Sequence, residues 1–153
     1  MAMNTVEKEK KKVLKVDIPD DLNDEIEDFN PDIKKLNQAI SIITEELGAG
    51  LIATDIWSVN KGRSIAGYNS KPKICVLFNL LTASLKAALR SYISYELGQY
   101  YILDLADDKL LIVLPLHCFQ WNILVKKSET SLGLLLNVVL PRITELFEEA
   151  LKE

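Results

Sequence analysis

Lys71-Pro72-Lys73-Ile74-Cys75-Val76-Leu77-Phe78-Asn79-Leu80-Leu81-Thr82-Ala83-Ser84-Leu85 runs on through Lys86-Ala87-Ala88-Leu89-Arg90-Ser91-Tyr92 towards Leu97. No charge falls between Ile74 and Leu85. Ile74, Leu77, Phe78, Leu81, Leu85, Leu89 and Tyr92 recur at steps of three and four, which places them on one face of an α-helix. The periodicity predicts a single long helix over 71–97, ended by Gly98. A second stripe of smaller side chains, Val76, Leu80, Ala83 and Ala87, lies about a third of a turn away. A surface helix of a monomer needs one apolar face, and this helix has nearly two. The first stripe is assigned to the core. The second is left for another layer of the domain or for another chain.

Outward from this helix, two β-rich segments precede it and three follow. Leu51 to Val59 and Ser64 to Asn69 flank the turn Asn60-Lys61-Gly62, a hairpin in which Gly supplies a positive φ. Gln99 to Ala106 and Lys109 to Leu116 flank Asp107-Asp108, a second hairpin. Along the first of these, Tyr100, Ile102 and Asp104 alternate with Tyr101, Leu103 and Leu105. Phe119 to Val125 forms a fifth strand. Short connections allow all five strands to be antiparallel.

Helices bracket this pattern. Asn30 is placed as the N-cap of a helix from Pro31 to Leu47, with Ile33, Leu36, Ile40, Ile43 and Leu47 on one stripe and Gly48 and Gly50 as the stop. Thr130 to Lys152 carries Leu132, Leu135, Leu136, Val139, Ile143, Leu146, Phe147 and Ala150, with a kink expected near Pro141. Before Asn30 the chain changes character. Met1 to Lys15 is Lys-rich and polar, and Asp17 to Phe29 is an acidic segment with a weak helical stripe. The division expected is an N-terminal extension over 1–29, partly disordered, and one folded domain over 30–153.

Charge follows the same division. The net charge is −4. Residues 1–32 hold five Lys against ten acidic residues, whereas residues 33–153 hold thirteen Lys and Arg against twelve acidic residues. A near-neutral domain without clustered Arg gives no electrostatic footprint for nucleic acid. Lys86 and Arg90 argue against the long helix spanning a membrane. No apolar leader opens the chain, and Cys75 and Cys118 sit in apolar runs as reduced thiols would. A cytoplasmic location is expected.

Little in the sequence points to catalysis. His117 is the single histidine, and its neighbour Cys118 would point to the opposite face of an extended chain, which separates a nucleophile from its base. Two cysteines and one histidine fall short of a tetrahedral zinc site. No phosphate-cradling glycine loop or nucleophile elbow is present. Asp55 with Asp104, Asp107 and Asp108 could be drawn as acid–base pairs, but the hairpin pair is ordinary turn chemistry. Trp57, Trp121, Tyr92, Tyr95, Tyr100 and Tyr101 are not interleaved with Arg and Lys, so core and interface packing is their expected use. No enzyme activity, cofactor or metal is expected.

The order helix, two strands, long helix, three strands, helix resembles the roadblock family, the dynein-light-chain type of profilin-like α+β domain. Four segments carry the resemblance: the run Gly48 to Asp55, the turn into Ser64-Ile65-Ala66-Gly67, the strand Leu110 to Leu116, and Leu132-Gly133-Leu134 opening the last helix. The chain departs from the pattern at Asn60-Lys61-Gly62-Arg63, where the preceding strand is long and contains Trp57. The resemblance implies a five-stranded antiparallel sheet with two helices on one face and one on the other. It also implies a non-catalytic homodimeric adaptor or scaffold that binds and regulates a small Ras-like GTPase. In similar proteins the middle helix and the adjoining edge strand form the dimer, which maps here to Val76, Leu80, Ala83 and Ala87 with Tyr100, Ile102 and Asp104. Two other readings fit a small α/β chain of this kind. One is a secretion-chaperone-like peptide-binding homodimer, which would usually place three strands before the middle helix. The other is a small-molecule sensor with a pocket near Trp57 or His117.

Overall fold

The computed structural model describes residues 30–152. The expected acidic helix and Lys-rich start lie outside the described residues. In chain order the elements are α1 (Ile33–Leu47), β1 (Leu51–Ser58), β2 (Arg63–Tyr68), α2 (Pro72–Tyr92), β3 (Tyr101–Leu105), β4 (Lys109–Leu116) and β5 (Phe119–Lys126). A last helical segment follows, made of α3 (Leu132–Leu134), a π-helical turn (Leu135–Val139) and α4 (Leu140–Leu151). The five strands form one antiparallel sheet in the order β2-β1-β5-β4-β3, so β2 and β3 are its edges. This is the expected α+β architecture. Two strands precede the middle helix, which is not the secretion-chaperone order.

The alternation of each strand divides the core between two sheet faces. Ile56, Ile112, Leu114, Trp121 and Ile123 point to one face and meet Leu36, Ile40 and Ile43 of α1 with Ile143 and Phe147 of α4. Burying Trp121, Phe147 and many Leu-sized side chains there supplies most of the hydrophobic driving force. Trp57, Leu111 and Val113 point to the other face and meet Cys75 and Phe78 of α2. One helix therefore covers a face that two helices cover on the reverse side.

Several boundaries differ from the sequence reading, each for a local reason. The N-cap of α1 is Asp32 rather than Asn30, because its side chain accepts from Lys34 N at 3.0 Å. The Asp32 N–H donates to Ala150 O at 2.8 Å, which ties this helix start to α4. Ile33, in the first turn, stays exposed. The middle helix stops at Tyr92, before Gly98. Ser94 takes the left-handed conformation with φ 56°, and Tyr95 N donates back to Leu89 O at 3.1 Å. In the second hairpin both Asp107 and Asp108 have positive φ, 64° and 62°, as a tight primed turn requires. The expected kink near Pro141 is a π turn over Leu135–Val139, and Pro141 then sits in the first turn of α4, where a missing N–H costs least.

Candidate functional site

The candidate site is built on α2, and its helical phase differs from the expected one. The residues buried against the sheet are Cys75, Phe78 and Thr82, with Ile74 partly buried beside them. Leu77 and Leu81, expected in the core, point outward at 58% and 38% exposure. The cause lies in the sheet beneath. The Trp57 Nε1–H donates to Asn79 Oδ1 at 2.6 Å, and the Tyr101 hydroxyl is hydrogen-bonded to Thr82 Oγ1 at 2.7 Å. A fully buried indole N–H and a half-buried hydroxyl of the strands need partners, and α2 turns Asn79 and Thr82 towards them. Val76, Leu77, Leu80 and Leu81 are left exposed.

That outer side is a continuous apolar surface. Val76 is 58% exposed and Leu80 39% exposed, beside Leu77 and Leu81, with Ala83 and Ala87 half-buried along the same helix. At the helix end and beyond it, Tyr92, Ile93, Tyr95 and Tyr100 are also exposed. Exposed large apolar side chains in one patch mark an interaction surface. By length and mean hydropathy, 1.3, α2 is apolar enough to cross a membrane, yet its inner face is fastened to the sheet by the contacts just given.

The other residues named for the interface sit on or near β3. Tyr100 is exposed next to the strand. Ile102 packs its side chain towards the α1–α4 core, so it would contribute backbone rather than side chain at the sheet edge. Asp104 is exposed and bonded to Lys127 Nζ at 2.7 Å, a contact that raises the Lys127 pKa. As the last strand of the sheet, β3 has one side without a strand partner.

Beneath α2 lies a polar cluster that sequence reasoning did not assemble. Asp55 is buried on β1, where Ser64 Oγ–H donates to its Oδ1 and Cys75 Sγ–H to its Oδ2 at 3.4 Å. Burial first, then the Asp55 charge and this hydrogen bond, push the Cys75 thiol up to about 12. That thiol is a proton-holding packing group rather than a nucleophile. Asp55 is thus committed to β2 and α2, whereas Asp108 accepts from Ser128 N at 3.0 Å at the far hairpin. The imagined acid–base pairs belong to separate networks. His117 occupies the β4–β5 turn with φ 57°, and its Nε2 lies 3.0 Å from Glu148 Oε1 on α4. On the opposite face, Thr54 Oγ1 accepts from Trp121 Nε1–H at 2.8 Å and donates to Asn122 O at 2.8 Å, which explains a fully buried hydroxyl. Among the described residues, no group of three or more His, Cys, Asp or Glu side chains is placed to hold a metal ion.

Taken together, a β2-β1-β5-β4-β3 sheet, one long helix on one face and two helices on the other define the roadblock fold, and solved structures agree. The chain is similar to Myxococcus xanthus MglB, with 19% identity over 82% of this chain and 96% of that one, and a TM-score of 0.58. It is similar to a roadblock/LC7 domain from Streptomyces avermitilis, with 13% identity over 74% and 92% of the two chains and a TM-score of 0.53. It is also similar to an MglB in a tetrameric arrangement, with 19% identity over 76% and 93% and a TM-score of 0.52. At these identities the likeness establishes the fold. No family model and no curated protein matches the sequence.

Proposed function

We propose that this protein is a cytoplasmic, non-catalytic adaptor that forms a homodimer through the outer face of α2 and the β3 edge, and in that form binds and regulates a small Ras-like GTPase. One observation carries the reading: α2 leaves four aliphatic side chains, Val76, Leu77, Leu80 and Leu81, exposed. Ala83 and Ala87 would let two such helices approach closely. Antiparallel pairing of two β3 strands would remove the open edge and join two five-stranded sheets. The roadblock fold supports the partner class, and the tetrameric arrangement of one similar MglB supports self-association. Asp104, beside this edge, would then sit at the rim with Lys127 rather than in the seam.

The test is binding of purified full-length protein to Ras-like GTPases of the same organism, each loaded with a non-hydrolysable GTP analogue or with GDP. Nucleotide-dependent co-elution is expected, and it should be lost with Ala83→Glu, which places a charge in the helix seam. Equal, negligible retention of both nucleotide forms would contradict the GTPase reading.

A further inference from the structure

Between the N-terminal half of α2 and the sheet lies a cavity of about 300 Å³, at the small end of the range for ligand sites. Its floor follows one row of the sheet. Ala53, Leu124 and Leu111 are register neighbours across β1, β5 and β4, and Leu105 of β3 lines the cavity beyond them. Ala53 is the small member of that row and leaves room beneath Ile74 and Phe78 of α2. The space therefore reaches across four neighbouring strands, roughly 14 Å at about 4.8 Å a step, and its volume is spread thin rather than gathered into a ball. Its interior is carbon nearly throughout. Both Asp55 oxygens accept from Ser64 and Cys75, the Trp57 N–H is given to Asn79, and the Asn122 amide is closed off by the protein around it. A water molecule inside would lack the two to four polar partners that hold buried water, so the interior favours an apolar occupant. Exposed polar lining residues occur at one place, the link between β2 and α2. There Asn69 Nδ2 is committed to Ile52 O at 3.0 Å, which leaves Ser70 and the Lys71 ammonium to meet a polar head, with Lys73 exposed two residues on.

We infer that this cavity binds a medium-chain fatty acid, its alkyl chain lying along the Ala53–Leu124–Leu111 row and its carboxylate held at Ser70 and Lys71. A thin carbon-lined space takes an unbranched chain, and each methylene that enters it leaves water. The cationic link selects a negative head over a neutral one. The apolar walls and the buried Asp55 carboxylate keep that head out of the interior, which fixes the direction of the chain. This inference is independent of the partner proposed for the outer face of α2.

Decanoate is the probe, titrated below its micelle concentration into the ¹⁵N-labelled full-length protein. A saturable shift of the Trp57 indole N–H is expected at an affinity on the order of 0.1 mM, while the indole of Trp121, on the other sheet face, stays unmoved. Octanoate has two fewer methylenes and should bind about fifteenfold more weakly. Tetradecanoate outgrows the cavity and should bind no more tightly than dodecanoate. Lys71→Gln should weaken decanoate about threefold, the modest worth of an ion pair in contact with solvent, and leave decanol unchanged. Ala53→Leu, which fills the row, should weaken both by at least about tenfold with the fold intact by circular dichroism. An unmoved Trp57 resonance, equal binding of octanoate and decanoate, or undiminished decanoate binding in a folded Ala53→Leu would each overturn the inference. Equal binding of decanol and decanoate to the unaltered protein, or decanoate binding unchanged by Lys71→Gln, would overturn the fatty acid as the ligand.

Discussion

Cys75 shows how much of a residue's chemistry is set by what the fold places over it. In the sequence it is a small apolar-seeming residue on a helix. In the structure it is nearly inaccessible, donates to Asp55 and keeps its proton up to about 12. The consequence for stability has a definite sign. Below pH 9 the thiol is neutral in both folded and unfolded chains, and its contribution is constant. Above that the unfolded chain releases the proton while the folded protein holds it until about 12, so stability falls across this window. Urea unfolding midpoints measured from pH 8 to 11 should therefore decline more steeply for the unaltered protein than for Cys75→Ala. Parallel declines would mean that Cys75 ionises as readily in the folded protein as in the unfolded chain. Asn122 has a different lesson. Its position on the fifth strand was plain, but nothing local reveals that its side chain lacks a partner, because the candidates for that partner lie on β1 and α2, far away in sequence.

At the scale of elements, the strands and their order were legible because alternation, turn residues and short connections are local signals. Gly62 at φ 63° and the Asp107–Asp108 turn lie where the sequence places them. The phase of α2 was not legible. Hydrophobic periodicity weights Leu77 and Leu81 above Cys75, Asn79 and Thr82, and only the sheet beneath reverses that order. Trp57 presents an N–H and Tyr101 a hydroxyl towards α2, and the helix face with polar partners for both wins over the face with more carbon. Two hydrogen bonds therefore hold the helix in register. Replacing Asn79 by Leu leaves the fully buried Trp57 N–H without its acceptor and should cost about 1–3 kcal/mol. Urea denaturation gives the loss, and hydrogen exchange should locate it as faster opening of α2 than of α1. A variant as stable as the parent, with unchanged exchange in α2, would show that the helix docks through apolar contact alone.

At the scale of the whole molecule, the two sides of the sheet are unequal. One side is closed by α1, α4 and a large core. The other is closed by a single helix that leaves Val76, Leu77, Leu80 and Leu81 exposed. The fold and the general need for a second layer were readable from 153 residues. The identity of that layer was not, because it depends on a surface outside this chain. The Val76–Leu80–Ala83–Ala87 stripe assigned from the sequence lies on or beside the exposed side, and the correction to the helix phase enlarges it with Leu77 and Leu81.

The central claim is that a second copy of the protein covers this surface, and the solution mass tests it most directly. Multi-angle light scattering of the full-length protein at micromolar concentration should give twice the mass of one chain, or a multiple of that pair, and Ala83→Glu should return it to the mass of one chain with the fold intact by circular dichroism. A monomeric mass for the unaltered protein, or a dimer that survives Ala83→Glu unchanged, would contradict the account.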